Sequence, residues 1–169
     1  AGSSKIGKSW LALWLCLQVA KGESVWGLAT HGGTVLYLCL EDNFTRIQNR
    51  LFQITDDAPE TLHFATIAAG LYSGLQEQLT NFLAQHPDTS LVVIDTFQRI
   101  RDGNDTGPPY ASDYRDVTAL KAIADKHSIS LLLVHHTRKQ QADDPMDKIS
   151  GTTGISGAAD NNFVLEAHK

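Results

Sequence analysis

Eight residues near the start of the chain, Gly2-Ser3-Ser4-Lys5-Ile6-Gly7-Lys8-Ser9, satisfy the pattern GxxxxGK[ST] in full, and an apolar-periodic stretch follows at once. The chemistry of that pattern is specific. Its glycines let backbone N–H groups wrap a phosphate chain, its lysine reaches the β and γ phosphates, and its hydroxyl can ligate magnesium at a helix start. ATP and Mg2+ are therefore the expected ligands, with Gly2, Ser3, Ser4, Lys5, Ile6, Gly7, Lys8 and Ser9 as the cradle and Ser9 on the metal. Trp10 and Trp14 lie four apart in the following helix and either pack in the core or flank the nucleotide. Such a loop is normally fed by a strand, yet only Ala1 precedes Gly2, so the first strand is expected to be missing and the sequence to be a fragment.

A phosphate-binding loop needs a sheet, and the rest of the sequence supplies one. Lys8 to Val19 reads as a helix, apolar nearly all round and hence buried, ended by Lys21-Gly22. Thr34 to Leu40 is a near-continuous apolar run, typical of a strand covered on both faces, and Asp42 to about Gln53 is helical. Strands at Leu62–Ile67, Ser90–Ile94 and Ile129–Val134 alternate with helices at Ser73–Gln85 and Tyr114–Lys126. Two polar segments, Arg101–Ser112 and Gln140–Thr153, read as loops, and a short helix and a strand over Asn162–Ala167 close the chain. The alternation predicts an α/β domain, a mostly parallel sheet with helices on both faces.

Composition limits the remaining classes. At 169 residues there is room for one domain. No run approaches the roughly 18 apolar residues of a membrane span, and no basic, apolar and cleavage regions succeed one another at the N-terminus, so a cytoplasmic protein with no membrane partner is expected. The formal charge of −5 excludes gripping nucleic acid by bulk electrostatics. DNA contact must come from a local patch or from basic loops facing the channel of a ring. Cys16 and Cys39 sit in apolar runs and read as buried free thiols.

Acidic residues arrive where the loop requires them. Asp95 ends the run Leu91-Val92-Val93-Ile94 and is placed to hold the magnesium. Glu41 and Asp42 end an earlier strand at the same edge. Glu41 is expected to polarise the attacking water and Asp42 to cap the next helix, the other reading being that both are caps. His135-His136 follows the third buried run; adjacent residues on an extended chain face opposite sides, so one of the pair meets the γ-phosphate. Arg46 and Arg50 share a helix face, and Arg99, Arg101, Arg138 and Lys139 lie beyond strand ends, where they either solubilise or contact a substrate or subunit.

The succession of this loop, a strand ending in Leu-Glu-Asp, a strand ending in Asp95, a strand ending in His-His-Thr-Arg-Lys and the segment Ser-Gly-Thr-Thr-Gly-Ile-Ser-Gly-Ala-Ala-Asp resembles the RecA-like P-loop ATPases of the RepA type. These are relatives of hexameric replicative helicases, often encoded by plasmids, phages and mobile elements, and the resemblance covers essentially the whole chain. It implies a RecA-like fold truncated at both ends, ATP hydrolysis with Glu41 as base, Lys8 on the phosphates and His136 rather than His135 as γ-phosphate sensor. It also implies a homo-oligomeric, hexameric ring, single-stranded DNA as partner, and an arginine finger from the next subunit. No arginine lies between Ile149 and Lys169, so Arg138, Lys148 or a residue beyond 169 is left for that role. The alternatives are a regulatory ATPase of the same fold acting on a protein partner without unwinding, and a nucleotide-dependent binding module that does not turn over.

Overall fold

The computed structural model describes residues 1–101, 108–137, 149 and 153–167. Its centre is a parallel sheet of β1 (Thr34–Cys39), β2 (Leu62–Ala65), β3 (Thr89–Asp95) and β4 (Ser130–Val134), in the order β2-β1-β3-β4. Among the described residues, α1 (Lys8–Lys21), α2 (Phe44–Ile54), α3 (Gln76–Gln85), α4 (Pro109–His127) and α5 (Thr153–Ala158) surround it.

Strand side chains alternate between faces, and the two resulting sets build two cores. Val35, Tyr37, Cys39, Leu91 and Val93 pack with Leu13, Cys16 and Leu17 of α1 and Ile47 of α2. Leu36, Leu38, Val92 and Ile94 pack on the opposite face with Leu79 and Leu83 of α3, Val117 and Leu120 of α4, and Ile155 of α5. Because both faces are covered, every residue of β1 is buried, and that is why its sequence reads as an unbroken apolar run. Cys16 and Cys39 are buried free thiols.

Several boundaries differ from the sequence reading. α1 is buried on one face only, through Ala12, Leu13, Cys16 and Leu17, while Trp10 is 39% exposed, because the sheet covers one side of the helix. Asn43, not Asp42, caps α2: its side-chain oxygen accepts the Arg46 N–H at 2.9 Å, since Asp42 is drawn off into ion pairs. An irregular turn, Leu71–Leu75, replaces the first turn of the third predicted helix, with Gly74 at φ 127° breaking the helical path. α4 starts at Pro109, five residues before the predicted Tyr114, because proline suits the first helical turn, where its missing N–H is no loss.

The predicted final strand shortens to a single bridge at Leu165, and the loop proves to have an anchor. Gly2 bridges His136 on one side and Leu165 on the other, both parallel. Its N–H donates to the His135 carbonyl at 3.2 Å, the Thr137 N–H donates to the Gly2 carbonyl at 3.1 Å, and the Leu165 N–H donates to the Ala1 carbonyl at 2.8 Å. Two residues thus occupy the position next to β4 that a feeding strand would fill, and they offer Leu165 too little backbone for a longer ladder.

At the start of β2, the His63 ring lies 4.6 Å from that of His86 and 5.5 Å from that of Phe82, between centroids. Burial first, and then the neighbouring His86, hold the His63 imidazole below its ordinary value of 6.5, with Asp88 opposing. On acidification the unfolded chain therefore takes up this proton before the folded one does. The His63 contribution is intact above 6.5 and is lost as pH falls from there through the folded value. Urea unfolding between about pH 7 and 5 is expected to show stability declining with acidity, and His63→Phe to flatten that slope.

Candidate functional site

Parallel strands end at one edge, and the register makes those ends level. Cys39 pairs with Asp95, and Asp95 with Val134. Glu41 lies two residues past Cys39, His136 two past Val134, and Gly2 is bridged to His136, so the loop, both carboxylates and the histidine hang from one line at the carboxyl ends of the strands.

The loop's backbone explains its glycine. Gly7 has φ 102° and forms the N-cap of α1, whose first hydrogen bond runs from the Leu11 N–H to the Gly7 carbonyl at 3.0 Å. That region of φ excludes ordinary side chains. Lys8 Nζ donates to the carbonyls of Gly2 at 2.8 Å and Ser3 at 2.7 Å and lies 3.4 Å from His136 Nδ1. The last contact is a hydrogen bond only when Nδ1 carries no proton, which assigns the imidazole proton to Nε2. Burial draws the Lys8 ammonium below its ordinary value, and the charges of Asp95 and Glu41 oppose that shift.

Asp95 is buried, and its Oδ2 accepts the Tyr37 hydroxyl at 2.8 Å. The same hydroxyl lies 3.4 Å from the Ser9 carbonyl, so one tyrosine reaches both the strand end and the first turn of α1. Burial, and next the Asp95 carboxylate, push the Tyr37 phenol far up, which keeps it a donor. The peptide bond that follows Asp95 is cis. Thr96 Oγ donates to Glu41 Oε1 at 3.1 Å, and Arg99 Nε stands 3.6 Å from the same oxygen. Glu41 and Asp95 are therefore fixed relative to each other through consecutive residues of β3 and its extension.

Fit to magnesium follows from the donor chemistry. Ser9 brings a hydroxyl, and Asp95 brings a carboxylate with Oδ2 engaged and no protein hydrogen bond to Oδ1 among the described residues. Magnesium in such sites takes one or two protein oxygens beside phosphate and water, so no larger acidic cluster is needed. None is found among the described residues.

The other predicted residues separate from this group. His135 is buried, its ring edge-on to Phe97 at 5.8 Å, so the pair does split as adjacent residues should, His136 towards Lys8 and His135 into the core. Trp10 takes the Arg50 guanidinium over its ring at 5.7 Å. Asp42 is not a cap but the acceptor for both Arg46 and Arg50, which removes those arginines from a purely solubilising role. Arg138 and Lys148 lie outside the described residues. Tyr37, Thr96 and Arg99 escaped sequence reasoning as site residues. For Tyr37 a signal existed: a phenol inside a strand covered on both faces must find a partner.

Arg101 anchors the turn after Asp95. Its guanidinium donates to Asp113 Oδ1 at 2.7 Å, Asp116 Oδ2 at 3.0 Å and Ser112 Oγ at 3.0 Å, and lies over the Phe97 ring at 5.6 Å. Both aspartates are buried.

A glycine-lysine-serine loop bridged beside β4, an aspartate ending β3 and a two-faced parallel sheet define the class: a P-loop ATPase domain with a RecA-like α/β fold. The sequence model of the AAA domain family matches residues 1–142, and the chain belongs to that family. Among solved structures, it is similar to the ATPase domain of a replicative helicase, at a TM-score of 0.70 and 12% identity over 94% of this chain and 65% of that one. The likeness is one of fold, and the chain spans just under two thirds of that domain's length. No curated protein matches the chain.

Removing Arg101 would leave two buried carboxylates uncompensated. Arg101→Met is expected to cost about 3–5 kcal/mol in urea unfolding, against under about 1 kcal/mol for removing an exposed pair such as Lys21–Asp57.

Proposed function

We propose that this domain binds and hydrolyses ATP as the motor of a DNA replication protein or helicase of the RepA type, working in a homo-oligomeric ring with single-stranded DNA as partner. The observation that carries the catalytic part of the reading is the convergence of Lys8, His136, Asp95 and Glu41 on one sheet edge. The contact of Lys8 Nζ with His136 Nδ1 at 3.4 Å supports it most directly.

In this reading the loop N–H groups and Lys8 bind the β and γ phosphates. Ser9 and Asp95 hold magnesium, which when bound supplies charge neutralisation on the phosphate oxygens. Glu41 orients water for in-line attack and takes its proton, held in place by the Thr96 hydroxyl and by Arg99. His136, already touching Lys8, stands where a γ-phosphate would be sensed. Among the described residues no helix is long and apolar enough to cross a membrane. The RepA-type role rests on the order of motifs, and the ring and the DNA partner follow from it.

Lys8→Ala is expected to abolish ATP turnover, and Glu41→Gln to retain nucleotide binding while lowering turnover at least about 100-fold. Undiminished ATPase in either variant would sink the mechanism. For the role, ATPase of the intact parent protein should rise with single-stranded DNA, the effect weakening steeply with salt. No stimulation at any salt would favour a regulatory ATPase that acts on a protein partner.

A further inference from the structure

Tyr37 has one hydroxyl proton and two acceptors within reach, Asp95 Oδ2 at 2.8 Å and the Ser9 carbonyl at 3.4 Å. We propose that Tyr37 is a positioning residue that presents Asp95 to the metal through a single oxygen and thereby sets a preference for Mg2+ over larger divalent cations. The inference rests on the ATPase reading and deepens it.

The ring is held rigidly. Tyr37 is 2% exposed and paired with Phe64 on β2 and Val93 on β3, and its ring lies 6.2 Å from that of Phe64. A tyrosine has two side-chain torsions, so fixing the ring fixes the oxygen. The carboxylate, being charged, is the stronger acceptor and also the nearer one, so it takes the proton.

With Oδ2 committed, Oδ1 is the oxygen left for the metal side. That arrangement suits Mg2+, which demands compact octahedral geometry and uses a carboxylate through one oxygen or through water. It disfavours Ca2+, which accepts both oxygens of a carboxylate in a larger shell. The contact near Ser9 adds a second constraint. The hydroxyl spaces the first turn of α1, which carries the Ser9 side chain, from the end of β3, which carries Asp95, so the two protein donors keep a fixed separation.

Partners of a metal-ligating carboxylate commonly carry a 10–100-fold effect on metal affinity. The test uses the whole chain and a fluorescent ATP analogue, titrated with no divalent metal, with Mg2+ and with Ca2+. Tyr37→Phe keeps the ring and removes the hydroxyl. Metal-free nucleotide affinity is expected to stay within about twofold of wild type, the Mg2+ needed for half-maximal binding to rise about tenfold, and the preference for Mg2+ over Ca2+ to fall. An unchanged Mg2+ titration with an unchanged preference overturns the proposal. Phe64→Leu serves as the control for structural damage, since it loosens packing on the ring but keeps the hydroxyl; if it shifts the metal preference as much as Tyr37→Phe, the proposal also falls. Asp95→Asn separates this failure from that of the underlying reading: a wild-type Mg2+ titration in that variant removes Asp95 from the metal site altogether.

Discussion

Cys39, Asp95 and Val134 stand level across three parallel strands, and each candidate catalytic group is fixed by its offset from that line. A parallel sheet has all its carboxyl ends at one edge, so residues 41, 95 and 136 converge without any loop having to travel. The bridges of Gly2 to His136 and Leu165 then bring the phosphate loop to the same edge. Register here is a functional quantity. A slip of one residue would turn the Asp95 carboxylate to the other face of the sheet and exchange the roles of His135 and His136.

Burial of both faces has an electrostatic price, and the fold meets it with local pairing. Asp95 receives Tyr37, Asp42 receives two arginines, and Asp113 and Asp116 share Arg101. A buried charge without such a partner costs several kcal/mol, so these contacts are conditions of folding before they are refinements of a site. The arrangement has a functional side as well. Arg101 fixes the end of the segment that begins at Asp95, and the Asp42 pairs fix the turn that presents Glu41. The two carboxylates nearest the expected phosphates are thus held from behind by cations that do not themselves face the loop.

What could be read in the sequence was what depends on short range. The glycine spacing of residues 2–9 and the apolar runs of β1, β3 and β4 each contain their own explanation, and so the sheet and loop were legible. Contacts between distant segments were not. Nothing local distinguishes Asp42 from Asn43 as a cap, and the choice is made by Arg46 and Arg50 competing for the carboxylate. The Pro-rich stretch before α4 read as loop because proline and glycine dominate it, although proline at a helix start is favourable. Thr96 and Arg99 meet Glu41 across 55 and 58 positions of sequence, and only the pairing of β1 with β3 brings them together.

The Lys8 ammonium shows why counting contacts would mislead about nucleotide affinity. In this structure it already donates to two loop carbonyls and touches His136. Phosphate oxygens entering the loop would replace carbonyl partners rather than satisfy an unmet donor, so the net gain is the difference between a charge-assisted bond to a charged acceptor and a bond to a neutral one. The loop carbonyls released by Lys8 then return to solvent or to backbone donors. The exchange also changes what His136 feels. While Lys8 is held by the loop, the imidazole Nδ1 faces an ammonium whose charge is directed at carbonyls; once that charge is drawn to phosphate, Nδ1 loses its donor and the ring is free to turn its Nε2 proton towards the new anion. A group that senses phosphate this way need not touch it first, because the movement of one shared lysine reports its arrival.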